Sequence, residues 1–314
     1  TVVVSVRAVA LNHLDLWVRR GIPGLALDLP HIGGSDVAGV IDEVGPDADG
    51  WEVGDRVVLN PSLWCGECEW CERGEHPLCV DFRILGEHVA GGTAERVRVA
   101  ARNLYRIPDD LEFRVAAAAP LAYQTAWRAL KTRGGLVRGD SVLVTGASGG
   151  VSTAAIQISK LLGARVLAVT SGPDNVSRVQ ELGADIVFDR LETDFAEGVK
   201  AHTEGRGVDL VLDSVGEATW AQCLRSLSCL GRMVTYGATT GPRGAVEIRH
   251  MFWKQISVAG STMATRSEFE AVMQHVVAGD LAPVVGDVLP LSAIREAHEA
   301  LEAGRVFGKL VLEP

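Results

Sequence analysis

Positive charge and long hydrophobic runs are both scarce in this chain, and each absence removes a class of partner. The 314 residues carry 30 Lys and Arg against 40 Asp and Glu, a formal charge of -10, with no basic block. That balance opposes attraction to a phosphate backbone or an anionic lipid surface, so nucleic acid and membrane are excluded as expected partners. No apolar stretch reaches the ~20 residues needed to cross a bilayer, and the first residues lack a basic segment followed by an apolar core. Spare cysteines are also few. Four of the six lie in one cluster, and the other two, Cys223 and Cys229, stand in apolar surroundings. This is too few for a disulfide framework and suits a reducing compartment, so the expected location is the cytoplasm and the expected partner a small molecule.

What is present is apolar content of 47%, enough to bury more than one core over 314 residues, and the length suits two domains. The cluster reads C-x2-C-x2-C-x7-C through Cys65, Cys68, Cys71 and Cys79. Thiolates three residues apart can converge on one ion, and a fourth closes an all-sulfur tetrahedron with no open position. The expected occupant is one structural zinc ion that stabilises a polar, irregular loop. An iron-sulfur cluster is the alternative, since bacterial ferredoxins use a similar run, but there the fourth cysteine is followed by Pro. Disulfide pairing between cysteines three apart is strained.

Along the chain, TVVVSVRAVAL and VAGVIDEVGPDADGWEVGDRVVLN read as strands joined by Gly/Pro/Asp turns, an antiparallel β-rich domain. At FRVAAAAPLAYQTAWRALKT the period lengthens to that of a helix. βα units then alternate through ARVLAVT, ADIVFD, VDLVLDSVG, GRMVTYG and ISVAGS, the pattern of a doubly wound parallel sheet. The expected fold class is therefore α/β. The expected domains are a β-rich one over 1–121, a doubly wound one over 122–260, and a return segment over 261–314 that completes the first.

The segment SVLVTGASGGVSTAAIQISKLLGARVLAV gives strand, glycine-rich turn, helix and strand. Aligned on G-x-G-x-x-G it places Ala147, Gly149 and Ser152 at the three positions, with extra glycines at Gly146 and Gly150. Only the middle glycine matches, yet the context is the one the mechanism needs: backbone N–H groups from Ala147, Ser148, Gly149, Gly150 and Val151 facing a pyrophosphate at a helix start. The next strand ends in Thr170 and Ser171, where an NAD-specific site would carry an acid to grip the ribose hydroxyls. The missing carboxylate removes a repulsion against a 2'-phosphate. Ser171 and Arg178 become the candidate phosphate contacts, and NADP(H) is expected in preference to NAD(H).

The combined segments ALNHLDLWVRRG, GSDVAGVIDEVG, WEVGDRV, the cysteine loop, AAAAPLAYQTAW, GASGGVSTAAIQISKLLGA and RVFGKLVLEP resemble the medium-chain dehydrogenase/reductase superfamily, in its zinc-containing alcohol dehydrogenase type. The resemblance covers nearly the whole chain. It implies a Rossmann domain plus a β-rich GroES-like catalytic domain, a strand pair ahead of residue 1, and a homo-oligomer (dimer or tetramer) paired through the strand in QISVAGST. It also exposes departures. The three ligands that such alcohol dehydrogenases use for a catalytic zinc fall here on Asn12, Ser35 and Leu121, and the proton-relaying hydroxyl falls on Leu14. Carboxamide, hydroxyl and leucine do not replace thiolate and imidazole, so no catalytic zinc is expected. Asn12 instead matches the N-x-x-D of the zinc-free quinone oxidoreductase branch.

The resemblance implies further roles. Thr125 would touch the nicotinamide, His13 and Lys309 would face the pyrophosphate, and Asp15 would order the active-site floor. Ser214, Val215, Gly237, Ala238 and Ser261 would line the cofactor site at strand ends. Hydride transfer without zinc needs hydrogen-bond donors at the accepting oxygen, for which Asn12 stands first, followed by Ser35 and Tyr123; Asp36 is placed to make an ion pair nearby. The expected function is an NAD(P)H-dependent oxidoreductase that reduces a quinone, enone or related carbonyl. Two alternatives stay open: a zinc-type alcohol or aldehyde dehydrogenase, recruiting His13, His31 or His88 to a metal, and a nucleotide-binding redox sensor without turnover.

Overall fold

The computed structural model describes residues 1–314. They form two compact units, one of 1–124 with 263–314 and one of 125–262.

In the second unit six strands form one all-parallel sheet. Their spatial order is Ile186–Asp189, Arg165–Thr170, Ser141–Val144, Val208–Asp213, Leu227–Thr235, Ser257–Gly260. In chain order that is 3-2-1-4-5-6, the doubly wound Rossmann arrangement with its switch point beside the first strand, as the βα alternation predicts. The central strands are apolar on both faces because helices cover both, so they read as continuous runs rather than alternations. Leu143, Leu167, Val169, Val211 and Met233 are buried there.

In the first unit the seven-stranded sheet runs Val285–Pro290, Lys309–Glu313, Val2–Ala10, Asp36–Val44, Arg56–Leu59, Leu104–Arg106, with Arg96–Val99 also pairing with Val2–Ala10. The residues after 263 thus supply two of its strands. The register matters for function. Ala10 pairs with Asp36 on one side and with Val311 on the other, so the first residues of two strands flank the exit of the Val2–Ala10 strand. Asn12 follows two residues later and starts the helix His13–Arg20.

The long helical stretch expected after Phe113 is broken. It folds as Phe113–Ala117, Pro120–Trp127 and a wide-turned segment Arg128–Arg133. Pro120 is the cause: it has no N–H to continue the first helix and is well suited to begin the second.

Candidate active site and metal loop

Three polar side chains from distant parts of the sequence meet at that strand exit in the first unit. The Lys309 ammonium donates to Asp36 Oδ2 at 2.8 Å and to the carboxamide oxygen of Asn12. Asn12 Nδ2 donates to the same Asp36 Oδ2 at 2.9 Å. Asp36 Oδ1 accepts the backbone N–H of Leu121 at 2.8 Å, so the carboxylate also caps the start of the Pro120–Trp127 helix, where negative charge is stabilised by the helix dipole. Asp36 is fully buried and the Lys309 side chain only 4% exposed. The ion pair is therefore desolvated and bridged on one side by an amide.

Asp15 braces this arrangement. Its Oδ2 accepts the Asn12 N–H at 2.7 Å and its Oδ1 the Gly34 N–H at 2.9 Å. Burial pushes its carboxyl above its ordinary value, against the pull of those two N–H groups and of Lys309. Gly34 holds φ +90°, and a Cβ there would come within 2.4 Å of Thr93 Oγ1. Across from it Gly91 brings its backbone so near that a Cβ would stand 2.3 Å from the Gly34 carbonyl oxygen. Two glycines thus let the backbones touch and fix Ser35 between Gly34 and Asp36. Ser35 is fully buried and its Oγ has no hydrogen-bond partner within the protein, which leaves the hydroxyl available to a ligand or water.

Tyr123 has a different placement from the one its sequence position suggests. Its hydroxyl donates to the Ala282 carbonyl at 3.0 Å and the ring is buried, so the phenol proton is engaged by the protein core and is poorly placed to act as an acid. Lys309, expected at a pyrophosphate, spends its ammonium on Asp36 and Asn12 instead. His13 is exposed, with its ring 6.3 Å from that of Trp17. His31 Nε2 contacts the Gly86 carbonyl at 3.0 Å and His88 Nδ1 accepts the Ile84 N–H at 3.1 Å. Among the described residues the four-cysteine cluster is the one group of metal-ligating side chains; these histidines do not gather into a second.

In the second unit the proposed nucleotide residues lie at the carboxyl ends of the parallel strands. Ala147 to Val151 follow Ser141–Val144, Ser171 follows Arg165–Thr170, Ser214 and Val215 follow Val208–Asp213, Gly237 and Ala238 follow Leu227–Thr235, and Ser261 follows Ser257–Gly260. Arg178 lies on the helix Pro173–Glu181, and Thr125 is buried. Gly146 adopts φ +57°, turning the chain so that the helix Gly150–Leu161 begins at the strand end. The first N–H groups of that helix have no carbonyl ahead of them in the helix, which fits a dinucleotide pyrophosphate.

Two carboxylates that brace the strand ends were not legible in the sequence. Buried Asp213 accepts the Thr145 hydroxyl at 2.6 Å, the Thr219 hydroxyl at 2.7 Å and the Gly216 N–H at 2.9 Å, stitching neighbouring strand ends together. Asp189, from the adjacent strand, accepts the Gly172 N–H at 3.0 Å and with its other oxygen the Leu191 N–H at 3.0 Å. A strand-end acid in the sequence could have signalled both, but only the parallel register shows what each reaches.

The cysteine loop grows from the short pairing of Ser62–Leu63 with Arg83–Ile84. Asn103 Nδ2 donates to the carbonyls of Asn60 and Ser62 at 2.8 and 2.7 Å, and Trp64 is buried against His76 with ring centroids 4.5 Å apart. Sγ–Sγ distances are 3.8 Å for Cys65–Cys71, 3.6 Å for Cys68–Cys71 and 3.4 Å for Cys65–Cys79. All four sulfurs lie within 4.8 Å of one another. A tetrahedron with metal–sulfur bonds of about 2.3 Å has edges of about 3.8 Å, so the donors fit a zinc-sized ion. Backbone N–H groups of Val80 and Cys71 draw the Cys68 thiol down to about 6, whereas burial holds Cys71 up at about 12; a dication is what lets such a set ionise together.

A parallel 3-2-1-4-5-6 sheet with a glycine turn at its first strand end, in a chain that also folds a β-rich domain around a thiolate loop, defines a dinucleotide-dependent oxidoreductase. Residues 1–109 match the alcohol dehydrogenase GroES-like domain family and residues 150–278 the zinc-binding dehydrogenase family. Human quinone oxidoreductase is 31% identical over 99% of this chain and 88% of its own length. Acryloyl-coenzyme A reductase of Sulfurisphaera tokodaii is 31% identical over 100% of this chain and 92% of its own. A solved structure described as an NAD-dependent alcohol dehydrogenase superposes with TM-score 0.96 at 45% identity, covering 100% of this chain and 91% of that one. The chain belongs to the medium-chain dehydrogenase/reductase superfamily and is an NAD(P)-dependent oxidoreductase acting on a small molecule. No helix is long and apolar enough to cross a membrane.

Proposed function

We propose that this enzyme transfers a hydride from a reduced nicotinamide, NADP(H) in preference to NAD(H), to a quinone, enone or related conjugated carbonyl, with one structural zinc held by Cys65, Cys68, Cys71 and Cys79 and none at the Asn12, Ser35 and Leu121 positions. The observation that carries this reading is the Asn12–Asp36–Lys309 cluster: where the zinc-type relatives need soft and imidazole donors, this chain has an amide closed into a buried ion pair. Conjugated acceptors suit such a site because they spread the developing negative charge over several atoms and ask less of an electrophile than a simple ketone or alcohol does. A bound reduced nicotinamide supplies the hydride. The protein supplies orientation and hydrogen-bond donors, with Asn12 and the unpartnered Ser35 hydroxyl as first candidates and Asp15 holding the floor beneath them. The named relatives fit, since they include a quinone oxidoreductase and an acryloyl-coenzyme A reductase.

An alcohol dehydrogenase is the second reading, favoured by the 45% identity to the solved structure of that description. One assay separates them. Steady-state turnover with a naphthoquinone and a cyclic enone should exceed that with primary and secondary alcohols by at least about 100-fold in kcat/KM, roughly 2.7 kcal/mol of transition-state stabilisation. Alcohol oxidation as the faster reaction would overturn the proposal, and binding of NADPH without turnover of any acceptor would favour the redox-sensor reading. In the same assay NADPH should show a KM at least about tenfold below that of NADH, about 1.4 kcal/mol. Support comes from Thr170 and Ser171 at the ribose position and from Asp189 having both oxygens engaged by backbone N–H groups. Equal KM values would remove the preference.

The reading includes a cytoplasmic homo-oligomer. The outer strand Ser257–Gly260 ends the second unit's sheet, and Phe252 and Trp253 just before it are 62% and 83% exposed. An open strand edge beside exposed aromatics favours pairing with a second copy. Sedimentation at micromolar concentration should give a dimer or tetramer, and Trp253→Glu should shift it toward monomer. A parent protein that sediments as a monomer would refute this part.

A further inference from the structure

The two ends of an asparagine carboxamide are nearly the same size, so which end faces a ligand is decided by what holds the other. At Asn12 the holders are opposite charges. Oδ1 accepts from the Lys309 ammonium, and Nδ2 donates to Asp36 Oδ2 at 2.9 Å. Rotating the amide by half a turn would set N–H groups against an ammonium and a carbonyl against a carboxylate, replacing two charge-assisted hydrogen bonds by two repulsions. Water cannot blunt that contrast, because Asp36 is fully buried and Lys309 is 4% exposed. The amide is locked.

One hydrogen on Nδ2 remains. Apart from Asp36, its only acceptor is the Ala10 carbonyl at 3.5 Å, the far limit of a hydrogen bond. Asn12 is 8% exposed, so this loosely held N–H lies in largely dry surroundings, where a hydrogen bond to developing charge is strongest. We propose that Asp36 and Lys309 are positioning residues that hold Asn12 with its N–H side toward the acceptor, so that Nδ2 donates to the acceptor's carbonyl oxygen as hydride arrives at the conjugated carbon. The ammonium on Oδ1 draws electron density from the amide nitrogen and strengthens that donation. No bond to Lys309 or Asp36 is made or broken, and the electron pair on the oxygen is stabilised in place. This inference rests on the proposed carbonyl acceptor; it adds which side chains orient the donor and accounts for a lysine that the sequence assigned elsewhere.

The test is the charge-neutral pair Lys309→Met with Asp36→Asn, which removes both members of the buried ion pair together, with a thermal midpoint measured beside the kinetics to show that the variant is folded. Its kcat with naphthoquinone should fall 10- to 100-fold, while the dissociation constant for NADPH, read by its fluorescence without any acceptor, stays within twofold. Retention of kcat within threefold would overturn the proposal. A second readout needs no turnover. In protein labelled with 15N-asparagine, the Asn12 Nδ2 hydrogens, assigned by their loss in Asn12→Asp, should be shifted and slow to exchange in the parent and should move toward free-amide positions in the double variant. An unchanged amide signal would equally sink the idea. If the parent reduces no conjugated acceptor yet shows the locked amide, the substrate class fails and the positioning stands.

Discussion

Asp36→Ala is expected to destabilise the first unit by about 3–5 kcal/mol, the cost of removing one member of a buried ion pair. The size follows from what would be left behind. Lys309 would keep a positive charge at 4% exposure with the Asn12 amide oxygen as its remaining hydrogen-bond acceptor, and the N–H groups of Asn12 and Leu121 would each lose a carboxylate acceptor. Most of the loss is the desolvation cost of those unpaired groups rather than the worth of the pair itself. For the same reason the neutral pair of substitutions should cost much less than Asp36→Ala, although it removes more charge. Urea denaturation of both variants, followed by tryptophan fluorescence, decides the matter. An Asp36→Ala midpoint indistinguishable from the parent would mean that water reaches Lys309 and that the cluster is not desolvated. The pair also has a mechanical role, because Lys309 and Asp36 begin the two strands that flank Val2–Ala10. Losing either should loosen the strand exit that presents Asn12.

Metal analysis of the purified enzyme should give one zinc and no iron per chain, and stripping it should cost the catalytic domain its cysteine loop. Structural zinc held by thiolates binds with an apparent free energy on the order of 10 kcal/mol. Apolar packing has little to offer in its place: Cys65, Cys68 and Cys71 are half-buried, and Gly66 and Glu67 are exposed. After chelation, or in Cys68→Ser, amides over 65–79 should lose protection from hydrogen exchange and the thermal midpoint should fall, while the parallel sheet of the second unit keeps its protection. A stripped protein with an unchanged loop would show that Trp64, His76 and Arg102 hold it without metal. Iron in place of zinc would restore the iron-sulfur reading, and two zincs per chain would restore the zinc-type alcohol dehydrogenase.

Much of the architecture was written in local pattern. β-Branched alternation over Val2–Ala10, alternating βα units after residue 140 and a glycine turn at a strand end are short-range signals, and each is decided by residues within about a dozen positions of one another. The cysteine loop is the same kind of signal, since 15 residues of chain contain the whole ligand set. Helix continuity after Phe113 was misjudged where Pro120 intervened and where the turns widen over Arg128–Arg133, and the alanine-rich period concealed the first break.

The sequence by itself therefore determined the two folds, the close spacing of four thiols and the glycine turn, because those depend on residue type and near neighbours. The tertiary structure alone decided what Asn12 touches. Lys309 lies 297 residues from Asn12 and 273 from Asp36, and nothing local to any of the three foretells that they meet. Strand register decides it: Ala10 is paired to Asp36 on one side and to Val311 on the other, and a shift of one residue would turn these side chains to the opposite face. The same holds for Tyr123, whose hydroxyl looked reactive in the sequence and is engaged by Ala282 in the fold. Charge pairing in a dry interior is a property of three-dimensional neighbours, and only folding puts those neighbours together.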